Sequence, residues 1–190
     1  MCKKTYCNTE ENAPNDYNVA DRYIDERFEF RNIRQDETER AISIEKICFP
    51  PNEACSPKKM TERIRKVPEL FLVAVDKETG EIAGFLNGIV TEESVFRDDF
   101  FTDAELNNPD GKYVMLLGLD VLPEYRGQGL GRELVYRYLR RERDNNRHEV
   151  ILTCLESKVG MYEKFGFKDK GISASEWGGE EWHEMGYKLI

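Results

Sequence analysis

Six consecutive residues, Arg126 to Gly131, have the composition of an anion-binding loop. Gly127, Gly129 and Gly131 occupy alternate positions, where missing side chains let the backbone turn sharply and leave its N–H groups uncovered. A helix is predicted to follow, and its first turn adds unpaired N–H donors and the positive end of the helix dipole. From 123 to 147 there are seven arginines and four acidic residues. These features predict a cradle for a pyrophosphate; the alternative is a glycine-rich turn beside a solvated basic helix.

The loop differs from two common nucleotide-binding motifs. A nucleoside-triphosphate P-loop ends in Gly-Lys-Ser/Thr, whereas Arg132 and Glu133 follow Gly131. The dinucleotide fingerprint Gly-x-Gly-x-x-Gly requires a third glycine where Leu134 stands. The sequence therefore argues against both of these ligand classes.

Stretches of alternating or continuous apolar residues predict the strands that position the loop. The predicted strands cover residues 27–33, 71–75, 81–90, 113–122 and 150–155, followed by final strands at Phe167 and 182–190. The polar residues 76–80 are expected to join the second and third strands as a hairpin. The glycine loop follows the most apolar strand, at 113–122.

Helices are predicted where apolar residues recur every three or four positions. Asp36 is expected to cap the first helix. Ser56 and Pro57 are expected to start the second, as cap and first helical residue. A third helix follows the glycine loop, and a short one runs from Val159 to Phe165 and is closed by Gly166.

The order of these elements predicts one α+β domain at residues 25–190, around a mixed sheet. Residues 1–24 are polar and irregular, and they are expected to form a flexible N-terminal extension. With 190 residues the chain is long enough for a single buried core. We found neither repeats nor a linker in the sequence.

Composition excludes several classes of function. A formal net charge of −9 disfavours a nucleic-acid binder and suits a cationic small molecule as substrate. The longest mainly apolar stretch, 113–122, is about half the length of a membrane span. Five cysteines and two histidines are a poor framework for disulfides or zinc, so no metal is expected. Without a secretory signal, the chain is expected to be cytoplasmic.

Arg126, Gly129 and Gly131 fit the pattern Arg-x-x-Gly-x-Gly after a long apolar strand, and here the chain resembles the GNAT superfamily of acyl-CoA N-acyltransferases. The run Tyr-Glu-Lys-Phe-Gly-Phe at 162–167 resembles the second hallmark of that superfamily. The resemblance covers roughly residues 27–190. It implies an α/β/α sandwich with a mixed, mostly antiparallel central sheet, and acetyl-CoA as co-substrate.

The resemblance also implies which residues hold acetyl-CoA. The pyrophosphate would lie on the glycine loop, and the pantetheine arm would pair with the preceding strand, where an N–H would meet the acetyl oxygen. Asp120, in that strand, is expected to have a structural role. The implied cofactor-binding residues are Leu119, Val121, Arg126, Gly127, Gln128, Gly129, Gly131 and Arg132.

Within the superfamily, the chain is most similar to arylalkylamine N-acetyltransferases and their microbial relatives. Cys55-Ser56-Pro57 resembles part of their substrate loop, and 178–185 resembles their last strand. Those enzymes place two histidines, one residue apart, on the central strand, and this chain has Met115 and Leu117 there. The histidine relay is therefore absent. The implied substrate-binding residues are Trp182, Met115 and Leu117.

Acetyl transfer to an amine requires a neutral amine, a stabilised thioester oxygen and a proton for the departing thiolate. Tyr162 lies where the superfamily has its general acid and is expected to supply that proton. Glu156 is the predicted general base. Cys154 has no neighbouring histidine in the sequence, so a covalent intermediate is not expected. Other candidates for the base are a water chain, Glu92, Glu93 and His183.

The sequence thus predicts an N-acetyltransferase that moves an acetyl group from acetyl-CoA to a small primary amine, aromatic or not, by direct attack in a ternary complex. Two alternatives stay open at this point. One is an acyl-CoA-binding sensor without turnover, and the other is an enzyme acting on a protein N-terminus or a lysine. No nucleic acid or membrane is expected as a partner, and a homodimer is left open.

Overall fold

The computed structural model describes the backbone of residues 19–190 and the side chains of residues 23–190. Most of the predicted N-terminal extension, residues 1–18, lies outside the described residues. The helices of the described part are α1 (Val19–Arg27), α2 (Thr38–Cys48), α3 (Pro57–Lys66), α4 (Asp99–Thr102), α5 (Leu130–Asp144) and α6 (Glu156–Lys164). The strands are β1 (Phe28–Asn32), β2 (Phe71–Asp76), β3 (Ile82–Thr91), β4 (Tyr113–Val121), β5 (Glu149–Cys154), β6 (Lys168–Ile172) and β7 (His183–Lys188).

The strands form a seven-stranded mixed sheet in the order β1-β2-β3-β4-β5-β7-β6. β4 and β5 are parallel, and every other neighbouring pair is antiparallel. α2 and α3 lie on one face, where Arg63 of α3 bonds to Asn87 of β3. α5 lies on the other face, where the Tyr138 hydroxyl is beside Gly88 of the same strand. This architecture confirms the predicted α+β class with its mostly antiparallel sheet.

The start of α3 agrees with the prediction, and the start of α2 does not. Ser56 Oγ accepts a hydrogen bond from Lys59 N–H at 3.4 Å, and Pro57 is the first helical residue. Asp36, the predicted cap of α2, instead lies inside a short 3-10 turn at 35–37, and α2 begins at Thr38. The prediction was wrong because the next carboxylate, Glu37, closes this corner by accepting from the backbone N–H of Arg34 at 2.8 Å.

Other boundaries also differ from the predicted ones. α6 begins at Glu156, three residues before the predicted start, and Gly166 follows its end with φ of +94°, as predicted. Phe167 and Trp182 flank β6 and β7 without belonging to them. The connection at 92–112 contains α4, which the sequence analysis did not predict. Polar residues dominate the sequence of that segment and mask its two buried aromatic anchors, Phe96 and Phe100.

The predicted boundary at residue 25 falls inside α1. Ile24 of this helix is 3% exposed and belongs to the hydrophobic core. Arg27 donates to the Asp76 carboxylate from Nε and Nη2, at 3.2 and 3.0 Å. Asp25 forms an ion pair with Arg137 of α5. The packed domain therefore includes at least the end of the segment that was predicted as an extension.

Pairing between β4 and its neighbours changes in the middle of the strand. On one side, the register with β3 shifts between Asn87 and Gly88, so that Leu117 is an extra residue in β4. On the other side, the parallel pairing with β5 ends at Leu116 and Leu152. The second half of β4 therefore keeps β3 as a partner but separates from β5. This separation opens a gap in the middle of the sheet.

Removing the cap of α3 tests how this helix start is stabilised. We expect Ser56→Ala to lower the free energy of unfolding by about 1 kcal/mol, because the Lys59 N–H loses its acceptor. Ser43→Ala in α2 is the control, since Ser43 Oγ only donates to the Glu39 carbonyl inside a helix. Urea denaturation of both variants makes the comparison. Equal stability of the two would contradict the capping role.

Candidate active site

The gap between β4 and β5 offers backbone groups for an extended ligand. Leu122 N–H donates to Ala83 O of β3 at 3.0 Å. Backbone groups of successive strand residues point to opposite sides of the strand, so the N–H groups of Val121 and Leu119 point away from β3 and into the gap. The carbonyl oxygen of Val121 accepts from Arg126 Nε at 2.7 Å, so its N–H is the group left to a ligand.

The glycine loop lies at the end of this gap. Gly127 and Gly129 have φ values of +74° and +89°, in the left-handed region that favours glycine. A Cβ atom on either residue would meet no atom within 4 Å, so the loop surface is open. The first hydrogen bond of α5 runs from Glu133 N–H to Gly129 O at 3.0 Å. The N–H groups of Leu130 and Gly131 precede this bond and belong to the helix end whose N–H groups lack an acceptor one turn earlier.

α5 begins in close contact with β4. A Cβ atom on Gly131 would lie 3.6 Å from Val121 Cγ2 and 4.0 Å from Leu119 Cδ2. The N-terminus of α5 therefore lies directly beside the strand segment that borders the gap. Arg132, also in the first turn of α5, has its guanidinium 5.8 Å from the centre of the Tyr136 ring. Backbone donors, a helix N-terminus and arginine side chains meet here, as an anion site requires.

Gln128 connects the loop to two other parts of the chain. Its side-chain nitrogen donates to Glu124 O at 2.9 Å. Its side-chain oxygen accepts from Arg27 Nη1 of α1 at 3.2 Å. α1 thus helps to hold the loop in shape, a contribution that the sequence analysis did not foresee.

Tyr162 of α6 lies on the β5 side of the structure, among aromatic rings. Its ring is edge-on to Phe165 and Phe167, with centroid distances of 6.0 and 5.7 Å. Burial, together with the nearby Cys154 thiol and Asp120, raises the pKa of the phenol above its ordinary value. The phenol therefore keeps its proton at neutral pH and is available as a proton donor. Burial also raises the pKa of the Cys154 thiol to about 12, which disfavours a nucleophilic thiolate.

Three segments, which we call the loop cluster, join at one end of the sheet: residues 50–55, 96–101 and 175–182. Trp177 donates from Nε1 to Glu53 O at 2.8 Å, and its ring stacks on Phe101 at a centroid distance of 4.8 Å. Asn52 donates from its side chain to Gly178 O at 2.9 Å. Side chains from three separate parts of the chain therefore close this region.

Trp182 lies at the inner side of the loop cluster. It is 7% exposed, and its Nε1 donates to Trp177 O at 2.8 Å. Asp98 accepts from Ser175 Oγ at 2.5 Å and fixes the neighbouring turn. The two tryptophans are thus linked to each other and to the rest of the loop cluster. Both tryptophans are candidates from the sequence for the wall of an acceptor pocket, with Trp182 as the predicted substrate-binding residue, and the structure places them side by side.

A buried polar cluster lies under α2 and α3, on the face that the loop cluster continues. It consists of Glu45, Arg63, Asn87 and Asp120, which are 5%, 4%, 1% and 0% exposed. Arg63 donates to Asn87 Oδ1 at 2.8 Å, and Glu45 accepts from Cys55 N–H at 2.7 Å. Burial and the charge of Glu45 raise the pKa of Asp120 well above its ordinary value.

Charged residues at positions with helical apolar spacing are the sequence signal for this cluster. Glu45 falls on the apolar stripe of α2, between Ala41 and Cys48. Arg63 falls in the same way on the stripe of α3, beside Met60. A charged side chain on an apolar stripe must be buried with compensating groups, so such positions deserve to be counted as candidate site residues.

The other residues predicted from the sequence lie in varied surroundings. Glu156, the predicted base, is exposed in the first turn of α6. Met115 is fully buried in β4, and Leu117 is the half-buried extra residue of the bulge. His183 lies in β7, with Nδ1 3.0 Å from the Asp169 carboxylate. Of these groups, Leu117 lies nearest in the chain to the strand segment that borders the gap.

Comparison with known proteins agrees with this geometry. Residues 29–167 match the model of the Acetyltransferase (GNAT) family. Mycothiol acetyltransferase of Thermobifida fusca is 38% identical over 104 residues, which are 53% of this chain and 29% of that protein. Serotonin N-acetyltransferase of Mesocricetus auratus is 28% identical over 150 residues, which are 77% and 70% of the two chains. The chain thus spans under a third of the first relative and 70% of the second.

Among solved structures, the GphF GNAT-like decarboxylase in complex with isobutyryl-CoA has the same fold. The TM-score is 0.73 at 18% identity, and the match covers 85% of this chain and 100% of that one. The family match, which includes the glycine loop and Tyr162, shows that the chain belongs to the GNAT family of acetyltransferases. The resemblance predicted from the sequence is confirmed. In the part of the chain that the structure describes, no helix is long and apolar enough to cross a bilayer.

The anion-binding role of the loop can be tested by introducing a charge into it. We expect Gly129→Asp to abolish binding of acetyl-CoA, because the carboxylate would stand among the N–H donors that face the pyrophosphate. Gly80→Asp is a matched control, since Gly80 has φ of +74°, equally open surroundings and a place in the β2–β3 hairpin. Isothermal titration of both variants with acetyl-CoA gives the result. Binding that is lost in both, or retained in both, would contradict the role of the loop.

Proposed function

We propose that this protein transfers an acetyl group from acetyl-CoA to a small primary amine, by direct attack of the amine on the thioester in a ternary complex. The observation that carries the proposal is the gap between β4 and β5, which leads from the glycine loop toward Tyr162. A thioester carried by a phosphorylated arm requires this combination of an anion site and an extended groove with free backbone donors. The sensor alternative lacks a comparable supporting observation, because a sensor does not need a proton donor beside the gap.

The cofactor side of the site consists mainly of backbone. The pyrophosphate would accept from the N–H groups at the start of α5, and the amide groups of the pantetheine arm would pair with β4 in place of the missing β5 partner. Among the N–H groups that face the gap, that of Leu119 would meet the acetyl oxygen. A fixed donor at that position stabilises the negative charge that develops on the oxygen in the transition state.

Tyr162 would then protonate the departing thiolate of CoA. Its raised pKa keeps the phenol protonated at neutral pH, so the proton is present when the C–S bond breaks. The edge-on rings of Phe165 and Phe167 restrict the orientation of the partly buried phenol. This assignment agrees with the position that the GNAT resemblance implies for the general acid.

The acceptor would enter through the loop cluster. The hydrogen bonds of Trp177 and Asn52 tie the segment 50–55 to 177–178 and close this entrance on one side. A tied entrance suits a small amine better than a folded protein that must approach with its own surface. The tryptophans would offer apolar and aromatic contact to the carbon part of such an amine.

Acetyl transfer itself is tested with wild-type protein and three acceptors of different class: tryptamine, 1,4-diaminobutane and a peptide with a free N-terminus. The assay follows release of the CoA thiol and identifies the acetylated product by mass. We expect transfer to at least one of the two small amines. Binding of acetyl-CoA without transfer to any acceptor would instead favour the sensor, and transfer to the peptide alone would favour the protein-modifying enzyme.

Replacing the proposed acid should separate chemistry from binding. We expect Tyr162→Phe to lower kcat by about 100-fold, the usual lower range for a lost general acid, without changing the Kd for acetyl-CoA. Tyr113→Phe, at the opposite end of β4 from the gap, serves as the control. Steady-state kinetics and titration measure the two quantities. A parallel loss of kcat and affinity would show that Tyr162 has a structural role.

The hydrogen bond from Trp177 to Glu53 O, which joins the two sides of the proposed acceptor entrance, can be tested separately. Trp177→Phe preserves an aromatic ring on Phe101 but removes the hydrogen bond to Glu53 O. We expect KM for the amine to rise several-fold, because the segment 50–55 loses its anchor, while the Kd for acetyl-CoA stays unchanged. Kinetics at saturating acetyl-CoA measure the change. An unchanged KM for every acceptor would contradict a role of this segment in acceptor binding.

A further inference from the structure

Asp120 is a fully buried carboxyl group that lies beside a second carboxyl group, that of Glu45. Its side chain is 0% exposed, and neither oxygen atom has a hydrogen-bond partner among the described residues. The charge of Arg63 acts on both Asp120 and Glu45, but its guanidinium donates to Asn87 Oδ1 and Phe101 O. A buried carboxylate without a donor is costly to the fold, so its presence calls for a function.

The surroundings of Gly118 show where this carboxyl group points. From the position that a Cβ atom on Gly118 would occupy, Asn87 Nδ2 is 3.1 Å away, Asp120 Oδ2 is 3.2 Å away and Glu45 Oε2 is 3.9 Å away. Asn87 Nδ2 is also buried without an acceptor among the residues described. One donor and two carboxyl groups therefore converge beside Gly118. The side chain of any residue other than glycine would lie among them.

This polar cluster lies next to the gap. Asp120 stands between Leu119 and Val121, whose N–H groups face the gap. The Asp120 side chain points toward α2 and α3. It lies on the face of β4 opposite to the side chains of Leu119 and Val121. That is the face that the loop cluster continues, where the proposed function places the acceptor. Asp120 is 0% exposed, so an amine that approaches the acetyl carbon from this face would contact its carboxyl group by displacing the side chains that cover it.

The charged and titratable groups that face Asp120 come from several elements. α2 supplies Glu45 and Cys48, and the loop after it supplies Cys55. α3 supplies Arg63, and α6 supplies the phenol of Tyr162. The guanidinium of Arg63 is the single cation of this set, and two of its nitrogens already donate to Asn87 Oδ1 and Phe101 O. The set as a whole can therefore accommodate an additional positive charge.

We propose that Asp120 is the general base that takes a proton from the acceptor ammonium, and that Glu45 is a positioning residue that tunes Asp120. The inference rests on the proposed function and assigns the general base, which the proposed function leaves unassigned. It also defines the acceptor as a primary amine that arrives as a cation. The predicted base, Glu156, is exposed at the start of α6 and faces none of the groups of this polar cluster.

The proton balance of the reaction is simple. The ammonium R–NH3+ gives one proton to the Asp120 carboxylate and becomes a neutral amine. The amine nitrogen attacks the thioester carbon, so that the C–N bond forms and the C–S bond breaks. The CoA thiolate takes the phenol proton of Tyr162, and the second proton of the nitrogen restores the phenol. The products are the amide and CoA–SH, and Asp120 later returns its proton to water.

The surroundings of Asp120 also make its carboxylate a stronger base. Burial and the like charge of Glu45 raise the pKa of Asp120 well above that of an ordinary carboxyl group. The base must be ionised to act, so kcat/KM is expected to fall as the pH is lowered through this titration. Because the pKa is raised, this fall should occur well above pH 4, where ordinary carboxylates titrate.

The decisive experiment is the pH profile of kcat/KM for the best amine of the panel, in four proteins. We expect Asp120→Asn to lower kcat/KM at neutral pH by about 100-fold or more, with an unchanged Kd for acetyl-CoA. Its remaining rate should rise with pH as free amine becomes available. Glu45→Gln removes the like charge, so the acid limb should move to lower pH. Glu39→Gln, exposed on the same helix, should leave the wild-type profile unchanged.

Several outcomes would overturn the proposal. One is an Asp120→Asn protein that binds acetyl-CoA and keeps the wild-type profile. Another is an acid limb that stays in place in Glu45→Gln, which is decisive even if Asp120→Asn fails to fold. A third is loss of the acid limb in Glu156→Gln, which would make Glu156 the base. If wild-type protein acetylates no amine at all, the proposed function fails first, and the role of Asp120 fails with it.

Discussion

The site depends on one constraint, which is that β4 keeps its pairing with β3 while it loses its pairing with β5. The register with β5 ends at Leu116 and Leu152, and the bulge at Leu117 bends β4 at the same point. A strand that separates from its neighbour leaves backbone N–H and C=O groups unpaired inside a protein, which is costly unless a ligand pairs with them. The fold tolerates this cost because β3 and the start of α5 hold the other sides of the same segment. A cofactor arm that supplies the missing partner would therefore stabilise the structure that binds it.

Buried charge is the second cost that this chain carries. Glu45, Arg63 and Asp120 lie in the core between α2, α3 and the sheet, where apolar side chains of the same size would pack without desolvation. The cluster is only partly satisfied by internal hydrogen bonds, since Asp120 receives none from the described residues. Such an arrangement lowers the stability of the fold. It lies on the face of the sheet opposite α5, so the proposed cofactor site and the proposed acceptor site would occupy different sides of β4.

The comparisons fit this division of the molecule. The family match at 29–167 covers the strands up to β5, the glycine loop and α6, which include the parts that form the gap. The loop cluster contributes residues 175–182, which lie beyond that match, together with 50–55 and 96–101 within it. The relatives include a mycothiol acetyltransferase and a serotonin N-acetyltransferase, so similar chains carry the names of different substrates. The proposed acceptor entrance, which is partly formed by residues beyond the family match, would let such substrates differ on one fold.

Local chemistry in the sequence was sufficient for the glycine loop, the helix start at Ser56, the hairpin at 76–80 and the mixed sheet. Each of these depends on residues close together in the chain: left-handed glycines, a capping hydroxyl or alternating apolar positions. The sequence was not sufficient for the polar cluster or the tie between Trp177 and Glu53, because these join residues between about 18 and 124 positions apart. Asp36 shows the same limit at short range, because Arg31 and the backbone N–H of Arg34 donate to the neighbouring Glu37 instead. Residue types and local spacing thus determined the family and its anion loop. Only the tertiary structure decided which buried charges meet, because that depends on how separate helices pack on the sheet.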